Sequence, residues 1–360
     1  MGETRATGRA LREAAGRLRD AGIERPRVDA ELLLCHVLGV GRPRLIAHAD
    51  RILSPAEHAR FEGLVARRSA RQPLPYLTGE REFMGLRFRV NAHVLIPRPE
   101  TEVLVEAAIA AFGAYGSVEA WECGGHCASP SDRTSALPHS HTPFAAADIG
   151  TGSGAIAVSL AHAVPGVRVY ATDISPEACA VARENARRLG VAERVAVVEG
   201  DLLQPLEDRC GPGVPPEERA AVICANLPYI PDESLAQLQP EVRDWEPRLA
   251  LAGGPGGLRL VERLLAAAPS YLRPGGRVLC EIGPEADQPR RLLALLARTP
   301  GWGQAKVLSD LAGLPRVLSV IFEGGERHGR DFQSTQYAAE PVGDEHAFRT
   351  GRGGGGLPGG

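Results

Sequence analysis

The chain has 360 residues, of which 44% are hydrophobic and 24% charged, a composition typical of soluble globular proteins with room for two domains. No apolar run approaches the length of a membrane-spanning helix, and the first residues lack the apolar core of a secretory signal, so we expect a cytoplasmic protein. The formal net charge of −3 gives no general case for a polyanionic partner, although residues 1–100 carry an excess of arginine over acidic residues.

The first predicted unit is a helical domain over residues 1–75. Apolar residues recur at helical spacing in the segment 29–39, for which Asp29 is the expected N-cap. Ser54 followed by Pro55 is the start signal of a further helix, because serine caps the first turn and proline is favoured at the first helical position.

The next segment, residues 76–97, changes from helical to extended spacing. Aromatic and branched residues alternate around Gly79 and Gly85, a pattern that predicts a β-hairpin linking two domains. After two prolines a helix is expected to begin near Glu100 and Glu102, and we interpret these two carboxylates as charges favoured by the helix dipole.

The largest predicted unit covers residues 98–323 and alternates short apolar strands with helical segments. Such alternation indicates a mostly parallel sheet with helices on both faces. The last two strands are expected to form an antiparallel hairpin at the sheet's edge. The predicted strands are 144–149, 168–174, 194–201, 220–226, 277–283, 307–310 and 316–322.

Two segments lack the pattern of a folded domain, the insert 115–142 and the tail 324–360. Both are rich in polar residues, glycine or proline, and we expect them to be disordered. The insert contains cysteines and histidines whose spacing matches no standard zinc module, so we expect no metal. These residues are Cys123, His126, Cys127, His139 and His141.

Chemically distinctive residues stand at the ends of successive predicted strands. The first strand runs into the glycine-rich stretch 150–154, the second ends at Asp173, and the fourth ends at Asn226. Each has an ordinary explanation by itself: a turn, a neighbour of a helix cap and a strand terminator. Together they lie where open α/β sheets bind their ligands, at the carboxyl ends of the strands.

The motifs that contain these residues resemble those of methyltransferases. DIGTGSGAIAVSLA (148–161) resembles motif I of the Rossmann-like class I enzymes, ATDIS (171–175) their acidic motif, and NLPY (226–229) the N-P-P-Y signature of enzymes acting on planar nitrogens. From about residue 8 to 322 the chain is similar to the protein-(glutamine-N5) methyltransferases of peptide chain release factors. The blocks that resemble this family are AGIERPRVDAELLLCHVLG, QPLPYLTGEREFMGLRFRV, VLIPRPETEVLVE, EPRLALAGGPGGLRLVERLL and LRPGGRVLCEIG. The most specific signal is the LTGEREF…IPRPETE block together with the helical N-terminal domain.

The resemblance implies a class I fold with a seven-stranded sheet, S-adenosylmethionine as cofactor, and methylation of the glutamine in a release factor's Gly-Gly-Gln motif. It implies that the helical domain docks this protein substrate, and we expect a monomer. The implied cofactor-binding residues are Gly150, Thr151, Gly152, Ser153, Gly154, Asp173, Leu202 and Asn226. The implied catalytic residues, which would also hold the glutamine amide, are Asn226, Leu227, Pro228 and Tyr229.

The sequence departs from the family signature at Leu227, where relatives carry proline. The acceptor required at this position is a main-chain carbonyl, which leucine also supplies, and Pro228 still favours an extended Leu227. What is lost is a fixed φ angle. We therefore expect activity to be retained.

Two other functions remain open at the level of the sequence. A nucleic-acid methyltransferase acting on exocyclic amines, such as adenine N6, would use the same motifs and would flip a base into the pocket. The negative charge of the catalytic half argues against it, and the arginine-rich residues 1–100 argue for it. The third reading is a cofactor-binding docking protein with impaired catalysis, supported by Leu227 alone.

Overall fold

The computed structural model describes residues 6–113, 144–283 and 287–324. The predictions for the insert 115–142, with its cysteines and histidines, and for the tail after residue 324 lie outside the described residues. Within those ranges, no helix combines the length and apolar character that a bilayer crossing requires.

Five helices at the N-terminus pack around an apolar core of their own. The fourth begins with a capping box, because the Ser54 hydroxyl accepts from the Glu57 N–H (3.2 Å) and the Glu57 carboxylate accepts from the Ser54 N–H (2.8 Å). The predicted start at Ser54 and Pro55 is thereby confirmed. The helices are α1 (Thr7–Asp20), α2 (Pro26–Leu38), α3 (Arg42–Ala47), α4 (Pro55–Ser69) and α5 (Leu74–Thr78).

The predicted cap at Asp29 is wrong. Helix α2 begins at Pro26, whose fixed φ angle suits the first helical position, so Asp29 lies inside the helix. Its carboxylate is buried and accepts from Nε of Arg68 in α4 at 2.7 Å. The acid therefore joins two helices, a role that local spacing does not indicate.

The predicted hairpin is present as β1 (Glu80–Phe83) and β2 (Leu86–Arg89). Its buried Phe83 and Phe88 rings meet edge to face, with centroids 6.1 Å apart, and join the core beneath the main sheet. The turn is held by Glu102, whose carboxylate accepts from the Met84 N–H at 2.8 Å. Glu102 therefore has a second role besides its place in the first turn of helix α6 (Glu102–Gly113).

The main sheet has seven strands in the order β5-β4-β3-β6-β7-β9-β8. Strands β3 to β7 pair in parallel, and β9 runs antiparallel to both β7 and β8. The predicted fold class, a class I methyltransferase sheet with a terminal antiparallel hairpin and a helical N-terminal part, is confirmed. The strands are β3 (Ala145–Ile149), β4 (Arg168–Asp173), β5 (Val195–Glu199), β6 (Ala220–Ala225), β7 (Leu272–Glu281), β8 (Trp302–Ser309) and β9 (Pro315–Phe322).

Helices cover both faces of this sheet because the central strands are apolar on both sides. Along β6, Val222 and Cys224 enter one core while Ile223 and Ala225 enter the other, as the twofold repeat of a strand requires. The helices that follow α6 are α7 (Ala155–Ala163), α8 (Pro176–Arg188), α9 (Glu207–Cys210), α10 (Pro240–Arg243), α11 (Arg259–Ala267) and α12 (Gln288–Arg298).

Strand β7 begins at Leu272, earlier than the predicted start at residue 277. The intervening sequence contains Pro274 and Gly275, which usually indicate a turn. Gly275 has the positive φ (79°) of such a turn, and the strand accommodates it as a bulge, because Arg277, the partner of Val222, lies five positions after Leu272, the partner of Ala220. Strand β8 also begins earlier than predicted, at Trp302.

The strand order reverses between β3 and β6, which are neighbours although far apart in sequence. Loops that leave adjacent strands at such a point run to opposite faces and leave a crevice at the carboxyl ends. The glycine-rich loop after β3 and the NLPY segment after β6 therefore lie side by side.

Candidate active site

A cavity of about 420 Å³ opens at the carboxyl ends of β3, β4, β5 and β6. Most of the sequence-predicted site residues line it, whereas Gly154 and Tyr229 are outside its lining. The predicted residues that line the cavity are Gly150, Thr151, Gly152, Ser153, Asp173, Leu202, Asn226, Leu227 and Pro228.

Two of the glycines in the loop after β3 serve different purposes. At Gly152, with φ of 54°, a Cβ would have no described atom within 4 Å, so the backbone leaves open space on the cavity side. At Gly154, with φ of 80°, a Cβ would lie 3.2 Å from Ala182 of α8. The first glycine allows a ligand to approach closely, and the second allows α7 to pack on α8.

Asp173 ends strand β4 with its carboxylate towards the glycine loop. One oxygen accepts from the Gly152 N–H at 2.8 Å and the other from the Ser175 N–H at 3.0 Å. Burial raises the pKa of Asp173, while these backbone donors lower it. A carboxylate has about four acceptor positions, so it retains capacity for the hydroxyls of a ligand.

Asp148, at the start of motif I, was not among the predicted site residues. It is fully buried, and one oxygen accepts from the Thr151 hydroxyl at 2.6 Å and from the Ala157 N–H at 3.1 Å. Burial raises the pKa of Asp148 to about 7, in spite of these two hydrogen bonds. The carboxyl ties the glycine loop to the first turn of α7 and so fixes one wall of the cavity.

The Asn226 side chain is oriented by a residue more than a hundred positions away. Its Nδ2 donates to the hydroxyl of Thr101 at 3.1 Å, and no residue in the described part of the chain donates to its Oδ1. Asn226 lines the cavity, so this oxygen can accept a hydrogen bond from a ligand. The next residue, Leu227, is buried, and its Cδ2 would meet a Cβ placed on Gly150 at 3.0 Å. Leucine at this position therefore packs the NLPY segment against the glycine loop.

Tyr229 is anchored at both its hydroxyl and its carbonyl. The hydroxyl donates to Oε1 of Glu281 at 3.1 Å, and the carbonyl accepts from Nε2 of Gln288 at 2.7 Å. Burial, together with the neighbouring carboxylate, raises the pKa of Tyr229, so the phenol keeps its proton. Gln288 is itself wholly buried, and its Nε2 also donates to the Gly256 carbonyl at 3.2 Å. One side chain therefore joins the NLPY segment to the loop that contains Gly256.

The hairpin is connected to the glycine-loop side of the cavity through Asn185 of α8. The Asn185 amide donates to the carbonyls of Ser153 (2.8 Å) and Arg89 (3.0 Å), and its oxygen accepts from the Arg89 N–H (2.8 Å). The segments 92–97 and 247–252 add further walls to the cavity. Sequence reasoning did not assign this role to either segment.

Besides Asp148, four supporting residues were missed by the sequence analysis: Thr101, Asn185, Glu281 and Gln288. Thr101 and Glu281 lie within the family-like blocks VLIPRPETEVLVE and LRPGGRVLCEIG, so the resemblance contained a signal for them. Asn185 and Gln288 lie in helices whose local sequence carries no such signal. Their importance comes from the segments that they contact.

Comparison with known proteins places both parts of the chain in known families. Residues 9–79 match the family model described as PrmC N-terminal domain, and residues 146–245 match a methyltransferase domain. A release factor glutamine methyltransferase of Moorella thermoacetica is 44% identical over 86% of this chain and 96% of its own length. The chain belongs to the release factor glutamine methyltransferase family.

Two further members of the release factor glutamine methyltransferase family are similar to this chain over most of its length. Those of Cereibacter sphaeroides and Geobacter sulfurreducens are 41% and 40% identical, over 86% and 84% of this chain and 96% and 92% of their own lengths. Among solved structures, the catalytic domain of hMettl16 aligns with a TM-score of 0.46 and 15% identity, over 77% of this chain and 87% of that one. The predicted family is confirmed, and the protein is a methyltransferase.

Proposed function

We propose that this methyltransferase transfers a methyl group from S-adenosylmethionine to the side-chain amide nitrogen of the glutamine in the Gly-Gly-Gln motif of peptide chain release factors. The relatives that carry the name release factor glutamine methyltransferase support the substrate class. The observation that carries the proposal is the Asn226 amide on the cavity lining, whose nitrogen donates to Thr101 and whose oxygen accepts from none of the described residues.

A glutamine amide nitrogen is a poor nucleophile because its lone pair is delocalised into the carbonyl group. Oδ1 of Asn226 would accept from one N–H of this amide, and the main-chain carbonyl of Leu227 would accept from the other. Tyr229 would pack its ring on the planar group. Two acceptors raise the electron density on nitrogen and hold it in line for attack, which is catalysis by orientation and electrostatics.

The part of the cavity beside the glycine loop suits S-adenosylmethionine. Gly150 to Ser153 would lie along the methionine and adenosine, and the open position at Gly152 leaves room for that approach. Asp173 has acceptor capacity for the ribose hydroxyls, and Leu202 would lie near the adenine. When bound, the cofactor supplies a methyl group made electrophilic by its sulfonium.

The residues of this chain would position the substrate amide nitrogen, and methyl transfer would take place in a single displacement step. Asn226 and Leu227 would hold the nitrogen towards the methyl group that S-adenosylmethionine would supply, with the thioether of the cofactor as the leaving group. The nitrogen then loses one proton to water. Asn226 and Leu227 accept hydrogen bonds throughout, so neither has to be protonated.

We propose a separate role for each of three parts of the chain. The helical part, residues 1–75, would dock the release factor, and the hairpin segment 76–97 would set its distance from the cavity. Residues 98–323 would bind the cofactor and carry the reaction. With release factors as substrates, we expect a monomer acting in the cytoplasm.

A side-by-side transfer assay tests this function. Purified protein and radiolabelled S-adenosylmethionine are incubated with a release factor, with tRNA and with DNA. A release factor whose Gly-Gly-Gln glutamine is replaced by alanine serves as the matched control. We expect label in the intact release factor alone. Label in nucleic acid, equal label in the control, or binding of the cofactor without turnover would overturn the proposal.

A further inference from the structure

Gln288 is a wholly buried amide that the proposed reaction does not use directly. It is the first residue of α12 and lies just beyond the end of β7, the strand that pairs with β6, from which the NLPY segment leaves. A buried polar group is costly unless its hydrogen bonds are satisfied. The partners of this amide therefore indicate what the residue contributes.

Three hydrogen bonds fix the Gln288 amide in one orientation. Its Nε2 donates to the carbonyls of Tyr229 (2.7 Å) and Gly256 (3.2 Å), and its Oε1 accepts from the Gly283 N–H (3.0 Å). A glutamine NH₂ has two hydrogens to donate, so both are used on main-chain carbonyls. A rotated amide would place Oε1 against those two carbonyl oxygens. The side chain therefore holds three separate stretches of main chain together.

The loop 253–257, which we call the backing loop, lies directly against the main chain of the NLPY segment. A Cβ on Gly253 would lie 2.7 Å from the Pro228 carbonyl oxygen, and a Cβ on Gly257 would overlap the Tyr229 carbonyl oxygen. Gly257 also has a φ of 77°, a conformation that favours glycine. Glycine at these positions allows the two main chains to approach this closely.

Just after the NLPY segment the same two stretches of chain pair with each other. The Ile230 N–H donates to the Leu251 carbonyl (3.2 Å), and the Gly253 N–H donates to the Ile230 carbonyl (2.9 Å). Ile230 and Ala252 form an isolated parallel bridge. Strand β6 ends at Ala225, so the position of the main chain after that point depends on these contacts and on the buried amide.

The position of this main chain matters for the reaction that we propose. The second acceptor for the substrate amide is the main-chain carbonyl of Leu227, whose direction changes with any movement of Pro228 and Tyr229. The Tyr229 ring, which would pack on the substrate amide, is attached to the same main chain. A misplacement of about 1 Å can cost about a hundredfold in rate.

We propose that Gln288 is a positioning residue for methyl transfer, which together with the backing loop fixes the main chain of the NLPY segment and so orients the Leu227 carbonyl towards the substrate amide. This inference rests on the proposed function. Gln288 is outside the cavity lining and acts through the Tyr229 carbonyl. Its loss should therefore slow the reaction of the bound complex more than it weakens the binding of either ligand.

The test measures kcat, KM of the release factor and the dissociation constant of S-adenosylmethionine in two variants of Gln288. Gln288→Met is similar in size and removes every hydrogen bond of the amide, whereas Gln288→Glu keeps an acceptor for the Gly283 N–H and can donate at most one hydrogen bond. We expect kcat to fall about tenfold to hundredfold in Gln288→Met and about threefold to tenfold in Gln288→Glu. KM and the cofactor dissociation constant should change less than about threefold in folded protein.

Gly257→Ala disturbs the same main chain from the backing loop and tests the inference even if Gln288→Met does not fold. Its Cβ would displace the Tyr229 carbonyl, so we expect kcat to fall about tenfold or more. The matched control is Gly166→Ala. Gly166 has nearly the same φ, 78°, and a Cβ there would have no described atom within 4 Å, so kcat should be unchanged.

A second control is Arg194→Met, which removes a side-chain hydrogen bond to the Val164 carbonyl (3.3 Å) at the amino ends of β4 and β5 and should leave kcat unchanged. Unchanged kcat in both Gln288 variants would overturn the inference, and so would equal kcat in Gly257→Ala and Gly166→Ala. Parallel losses of kcat and cofactor binding, or a rise in KM alone, would show a different role and also overturn it. Failure of the proposed function is distinguishable, because the unsubstituted protein would then transfer no methyl to the release factor.

Discussion

At the scale of single residues, the structure explains the leucine that replaces the family proline. Leu227 offers a main-chain acceptor as proline would, and its side chain fills the space beside Gly150. We predict that Leu227→Pro changes kcat/KM by less than about fivefold, which is under about 1 kcal/mol of barrier. Steady-state methylation of a release factor measures this, and a much larger gain would show that the native site is impaired.

Asp148 should make the protein's stability depend on pH in an unusual direction. Its folded-state pKa is about 7, above the ordinary value of 3.8, so the folded protein holds this proton more tightly than the unfolded chain. The contribution of Asp148 to stability is therefore full at low pH and is lost as the pH rises through about 4 to 7.

We predict that Asp148→Asn, which stays neutral, gains stability relative to the unsubstituted protein as the pH rises. The gain should accumulate as the pH rises from about 4 towards 7 and reach the order of a few kcal/mol. Denaturant unfolding of both proteins at several pH values measures the difference. A difference that is constant with pH would contradict the raised pKa.

Residue identities at the strand ends could be predicted from sequence, while their supporting partners could not. Gly152, Asp173 and Asn226 belong to short motifs whose chemistry is visible locally. Thr101 is 125 positions from Asn226, and the bond between them exists only after the sheet has formed. A hydrogen bond between residues so far apart leaves no periodic pattern in the sequence from which it could be predicted.

At the scale of secondary-structure elements, Asn185 connects the hairpin to the glycine loop that lines the cavity. Substituting alanine leaves the Ser153 carbonyl and both polar groups of Arg89 without this partner. A lost hydrogen bond of this kind costs about 1 kcal/mol or more. We predict that Asn185→Ala weakens S-adenosylmethionine binding about tenfold, measured by calorimetry on protein shown to be folded. Unchanged affinity would show that the hairpin does not support the glycine loop.

A second link joins the N-terminal helices to the segment that follows NLPY. Glu241 of α10 accepts from Arg68 (3.1 Å) and from Arg71 (2.6 Å), and the Arg68 side chain is almost fully buried. Removing one partner from a buried ion pair leaves a charge without full compensation. We predict that Glu241→Gln lowers the free energy of unfolding by about 2 kcal/mol.

Denaturant unfolding measures this loss, with Asp244→Asn as the control. Asp244 pairs with Arg243 on the exposed side of the same region, and solvent-exposed pairs contribute little. Equal stability of the Glu241 and Asp244 variants would contradict the account of the link between the helices and the NLPY segment.

At the scale of the whole molecule, the fold could be predicted because its signals are repeated. Each strand is a short apolar run followed by a helical pattern, and many such units indicate one parallel sheet even where individual ends are misplaced. The early start of β7 could not be predicted, since it depends on pairing of Leu272 with Ala220 in another strand. Pro274 and Gly275 still form a local turn there, and the segment belongs to β7 because the strand pairs with β6 on both sides of that bulge.

The whole molecule brings the glycine loop after β3, Asp173 at the end of β4 and Asn226 after β6 to one cavity at the reversal of strand order. The central claim is that the side-chain oxygen of Asn226 holds the substrate amide for methylation. The most direct test is the rate at which Asn226→Ala methylates a release factor at saturating S-adenosylmethionine. We predict a loss of about a hundredfold to a thousandfold in folded protein that still binds the cofactor. Methylation at the unsubstituted rate would contradict the account.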